Sequence, residues 1–123
     1  EGEADMTRGP MIQGEVEELM AVLGAQLEEG AEVYAKLAEE RAVAEADYKE
    51  RYWTALVRIV DHPEYRTTAP QREAKAALAA KEEFRRFKLL EAREKAAQQH
   101  LISIRARLDS LRTIAANVRA SGG

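Results

Sequence analysis

Cysteine is absent from the 123 residues, which excludes disulfide bridges, thiolate metal sites and a cysteine nucleophile. Histidine occurs twice, as His62 and His100, and neither has a serine or second histidine at a catalytic spacing. Asp61, His62 and Glu64 are polar punctuation at a turn rather than a metal site. No apolar run approaches the roughly 20 residues needed to span a bilayer, and the N-terminus has neither a basic leader nor an apolar core. A Gly-rich phosphate loop, a nucleophile elbow, zinc-ligand spacing and a Glu-x-x-His motif are all missing. The expectation is a soluble, cytoplasmic protein with no catalytic residue, no metal, no cofactor and no membrane contact.

What the chain does have is charge and helix formers. A third of the residues are charged while aromatics make up 6%, the profile of long helices and coiled coils. The net charge of −3 conceals an asymmetry. Residues 15–60 hold eleven acidic and five basic side chains, a net of −6, whereas residues 85–119 hold three acidic and nine basic, a net of +6. Two such arms neutralise each other when laid side by side.

The clearest pattern lies near the end. Ala97, Leu101, Ile104, Leu108, Leu111, Ala115 and Val118 follow alternating four- and three-residue steps. That spacing sets them on one stripe of a helix, the seam another helix covers. Strand alternation would bury charges here instead. An equivalent stripe opens the first arm, at Val16, Met20, Leu23, Leu27, Gly30, Tyr34 and Leu37.

After Leu37 the strict step falls on Arg41, and apolar contact resumes at Tyr48. Eleven residues make three turns at about 3.67 residues each, so the helix is expected to continue to Val60 with a local change of pitch. Gly24 and Gly30 lie within it, each costing about 1 kcal/mol against alanine. Gly30 falls on the seam, where either close approach of a neighbouring helix or local flexibility accounts for it.

Residues 1–14 are read as a flexible lead-in, with Met6 or Met11 as a native start. Pro63 ends the first helix, and a loop covers 61–68. Thr68, Pro70 and Gln71 then form the signature of a capped helix start, with the threonine as N-cap and the glutamine reaching back. The second helix is expected over 69–119, with an early seam at Ala77, Ala80, Phe84, Phe87 and Leu90 and one charged interruption at Glu94. Residues 120–123 are expected to be a disordered tail.

The expected fold is therefore all-α: a long antiparallel helical hairpin, coiled-coil-like. Tyr48, Tyr52, Trp53, Leu56, Ile59 and Val60 are expected in its core opposite the alanines of 74–80, large residues against small ones. Leu19, Val22, Val33, Val43, Leu78, Leu89, Ile102 and Ile114 fall off the main seam. They imply a second contact surface, most simply a homodimer forming a four-helix bundle.

Function is expected in surfaces. The first expectation is contact with a protein partner. The second is single-stranded DNA on the basic face of the second helix, through Arg85, Arg86, Lys88, Arg93, Lys95, Arg105, Arg107 and Arg112. The third is a phosphate-mimicking acidic face, with Glu28, Glu29, Glu32, Glu39 and Glu40, that would inhibit a DNA-binding protein.

The segments Ala44-Glu45-Ala46-Asp47-Tyr48-Lys49, Thr68-Ala69-Pro70-Gln71-Arg72-Glu73 and Leu108-Asp109-Ser110-Leu111-Arg112-Thr113-Ile114 resemble small two-helix proteins of tailed bacteriophages. Those are encoded among early genes near replication and recombination functions. The resemblance covers residues 15–119 and implies a setting, an accessory role in DNA replication, recombination or host take-over. It carries no catalytic residue.

Overall fold

A computed structural model describes residues 12–61 and 68–122, and every regular element among them is an α-helix. Helix α1 spans Gln13–Asp61, α2 spans Ala69–Ala79, and α3 spans Lys81–Gly122. His62, Pro63 and Glu64, and the lead-in up to Met11, lie outside the described residues.

Helix α1 begins two residues earlier than expected. The Ile12 carbonyl accepts from the Glu15 and Val16 amides at 3.1 and 3.2 Å, and the Gln13 side chain donates to Glu17 at 2.7 Å. Helix α2 opens with the expected capping box. The Gln71 amide donates to Thr68 Oγ1 at 3.4 Å, and the Thr68 amide donates to Gln71 Oε1 at 3.1 Å.

The second helix was expected in one piece and is divided at Ala80, where φ −100° and ψ 16° leave the helical well. The ladder crosses the break nonetheless. Ala80 N donates to the Ala76 carbonyl at 3.1 Å, and Phe84 N donates to the Ala80 carbonyl at 2.9 Å. The far end also differs from expectation, since Ala120 and Ser121 are helical rather than a disordered tail. Ser121 Oγ donates back to the Asn117 carbonyl, four residues earlier, at 2.9 Å.

The chain divides into two units, residues 1–33 with 97–123 and residues 34–96. In the first, Val16, Leu23, Ile104, Leu108, Leu111 and Ala115 form the buried cluster, with Met20, Leu27 and Ile114 against it. Burying a side chain such as Ile104, 1% exposed, contributes about 1.5–3 kcal/mol. The segments run in opposite directions. Gly30 meets Leu101, while Leu19 and Leu23 share a groove with Arg107 and Leu111.

In the second unit Ala44, Phe87 and Leu90 are buried, with Leu37 and Tyr48 packed on them. Ala55, Ala76 and Ala80 are buried as well, as expected where small residues let helices approach. The direction is again antiparallel: Arg41 meets Glu94, and the Tyr48 ring lies 5.0 Å from Phe84 and 6.1 Å from Phe87.

Burial refines the expected seams. The stripe of α1 does not lapse between Leu37 and Tyr48, because half-buried Arg41 and buried Ala44 fill the strict positions. The eleven-residue step comes two turns later, running from Ala44 through Tyr48 and Tyr52 to Ala55. In α2 the buried alanine is Ala76 rather than Ala77. Stepping back from Leu90 by three and four gives Phe87, Glu83, Ala80 and Ala76, which leaves Ala77 and Phe84 on the flank. Phe84 is accordingly 40% exposed. Trp53, expected in the core, is 59% exposed, because it follows Tyr52 by one residue and turns about 100° away from the seam.

Candidate functional site

Charged residues interrupt the seam at Arg41 in α1 and at Glu83 and Glu94 in α3, and Arg41 meets Glu94. Arg41 Nε donates to Glu94 Oε2 at 2.7 Å, and another guanidinium nitrogen donates to Glu45 Oε1 at 3.0 Å. Lys49 closes on the second Glu45 oxygen at 3.4 Å. The Glu94 hydrogen bond, opposed by burial and helped by the charge of Glu45, raises the Arg41 pKa above its ordinary value. The guanidinium therefore stays charged at every working pH. This pair has the reverse polarity of the arms, a base on the acidic arm against an acid on the basic one.

The eight basic residues singled out in the sequence are all exposed, but they are not equally available. Arg85 pairs with Glu82 at 3.3 Å, Lys88 with Glu91 at 3.2 Å, and Arg112 with Asp109 at 3.0 Å, each three residues apart on its own helix. Lys88 Nζ also stands over the Phe84 and Phe87 rings, 5.6 and 5.2 Å from their centroids. Exposed pairs of this kind contribute little to stability, yet each carboxylate offsets the charge that its cation offers to a polyanion. Arg86, Arg93, Lys95, Arg105 and Arg107 complete an exposed series without such a partner among the described residues. On α1, Glu28, Glu29, Glu32 and Glu39 are exposed and Glu40 is half-buried.

Of the seam residues expected from the sequence, Leu23, Phe87, Leu101, Ile104, Leu108 and Leu111 are buried. Leu27, Tyr34, Leu37, Tyr48, Tyr52 and Leu56 are half-buried. The off-seam set divides cleanly. Ile114 packs on the first unit's core, whereas Leu19, Val22, Val33, Val43, Leu78, Leu89 and Ile102 are exposed. Val57 and Val60 add to them.

An open apolar recess of about 500 Å³ lies in the second unit, lined by Tyr48, Ala74, Ala77, Leu78, Lys81 and Phe84. Ring contacts lead from it to the surface. Tyr48 lies 6.2 Å from Tyr52, whose edge meets Trp53 at 5.3 Å. This arrangement can bind apolar side chains. Among the described residues no group of three or more His, Asp or Glu side chains is placed to hold a metal ion, and no helix is long and apolar enough to cross a membrane.

No protein-family model matches the chain, and no curated protein or solved structure matches it either.

Proposed function

We propose that this chain is a non-enzymatic interaction protein: a long antiparallel helical hairpin, coiled-coil-like, that dimerises into a four-helix bundle. The observation that carries the reading is the set of large apolar side chains left in solvent beside a seam already satisfied, Trp53, Val57, Leu78 and Leu89 among them. Scattered exposed apolar residues are ordinary, but Trp53, Val57 and Val60 follow one another at four- and three-residue steps on one side of α1, and an apolar row of that kind marks a contact surface. The resemblance to small phage proteins supplies the setting, an accessory role in replication, recombination or host take-over through protein contacts in the bacterial cytoplasm. Light scattering on a sizing column tests it. A dimer whose mass does not change with single-stranded DNA at low salt is the expected result, and a monomer at every concentration overturns it.

A second reading, binding of single-stranded DNA by the basic face, is favoured by the exposure of all eight cations on α3. It requires a complex that forms at low salt and dissolves at high salt. Charge reversal at Arg85, Arg86 and Lys88 would abolish that complex.

A further inference from the structure

Within the 34–96 unit the side chains of α2 are mostly too short to fill the space beside Tyr48. Ala76 and Ala80 are buried and hold the seam. Ala74 and Ala77, exposed beside them, reach no further than one methyl group. Phe84, the next large residue, stands on the flank and is 40% exposed. The recess of about 500 Å³ lies among them, with Tyr48 from α1, Ala74, Ala77 and Leu78 before the break at Ala80, and Lys81 and Phe84 after it.

We infer that this recess is a binding site for a small aromatic anion, one or two fused rings bearing a single carboxylate or sulfonate. Its volume falls within the range of small-molecule sites, and so does its character, apolar walls with few polar groups. The Tyr48 and Phe84 rings, 5.0 Å apart and tilted by 59°, favour a flat guest. A ring stacked on one turns its edge toward the other, and both arrangements are favourable.

Charge selects the anion. Lys81 is the one ionised side chain lining the recess, and it makes no ion pair with another described residue. Lys88 stands 5.6 Å from the Phe84 centroid, but Glu91 partners it at 3.2 Å, so recognition of the acid group falls to Lys81. A purely apolar guest would fill the hollow and leave that ammonium unused. The inference does not rest on the dimer reading.

Calorimetric titration of the full chain with naphthoate tests it, with naphthylmethanol as the uncharged counterpart and circular dichroism as the check on folding. Naphthoate should bind saturably with a dissociation constant below about 1 mM. It should bind about three- to fivefold more tightly than the alcohol, the range of an exposed ion pair. Lys81→Gln should erase that difference and leave the affinity for the alcohol unchanged. Ala77→Leu keeps a strong helix former, fills the hollow and should abolish binding of both. Trp53→Ala, outside the lining, should change neither. A parent chain that shows no saturable binding at several millimolar naphthoate overturns the site. Binding that survives Ala77→Leu, or that a folded Trp53→Ala chain loses, places the guest elsewhere and overturns it too. Equal affinity for acid and alcohol, indifferent to Lys81→Gln, overturns the anionic class.

Discussion

Gly30 lies directly against Leu101: a Cβ built on the glycine would come within 2.9 Å of Leu101 Cδ2. Of the two explanations open for this glycine, close approach is the one the geometry supports. Gly24, six residues earlier, has nothing within 4 Å of its Cβ position. Gly24→Ala should therefore stabilise the fold by about 1 kcal/mol through helix propensity alone. Gly30→Ala must push Leu101 aside and should gain little or nothing, and Gly30→Val should destabilise. Urea midpoints of the three variants check this, and equal gains at both glycines would refute the contact.

Removing Arg41 leaves the Glu94 carboxylate in the seam without its partner, and removing Glu94 leaves Arg41 with Glu45 alone; such a loss costs more than the pair itself contributes. Arg41→Ala and Glu94→Ala should each lower the melting temperature, whereas joint replacement of both by leucine should recover the parent value or exceed it. The sign of the pKa shift gives a second expectation. A raised Arg41 pKa stabilises at every pH below the ordinary arginine range and is lost only as pH climbs through the raised value, so alkaline conditions short of that leave the pair intact. Thermal melts of the four proteins across neutral and mildly alkaline pH decide both points.

Leu108 and Leu111, 5% and 9% exposed, anchor the first unit's cluster. Aspartate at both would place two unpaired carboxylates in an apolar seam and cost more than about 4 kcal/mol. The expected outcome is loss of helical signal in circular dichroism at 25 °C. Unchanged helicity would mean that the core lies elsewhere.

Thr68→Ala removes the acceptor of the capping box and should lower stability by about 1 kcal/mol. Gln71→Ala should cost less, because it leaves the Thr68 hydroxyl in place to accept from the amide of residue 71. Chemical denaturation of both variants orders the two effects.

Much of this was legible in the sequence because period is a strong signal. The stripe from Ala97 to Val118 and the Thr68–Gln71 cap stand where the spacing put them. The errors arose where apolar residues occur on adjacent faces. Ala74, Ala77, Ala79 and Phe84 offer a plausible seam one position away from the real one, and burial shows that Ala76 and Ala80 hold it. Tyr52 and Trp53 raise the same ambiguity, since neighbours in sequence point about 100° apart. The Arg41–Glu94 contact left a readable trace, two lapses of opposite charge in stripes expected to face each other. Periodicity treats each helix alone, so it registered two interruptions and not one contact.

The Arg41–Glu94 contact also limits how this sequence can drift. A change at 41 alone leaves Glu94 orphaned in the seam, and a change at 94 alone leaves Arg41 with only Glu45, so the easier routes are a swapped polarity or a joint conversion to apolar side chains. A one-heptad slip of the helices would set Arg41 against Phe87, or Glu94 against Tyr48, so any such route must also keep the register. Among descendants of a common ancestor, positions 41 and 94 should therefore substitute in concert, while exposed neighbours such as Glu39 and Arg93 vary on their own.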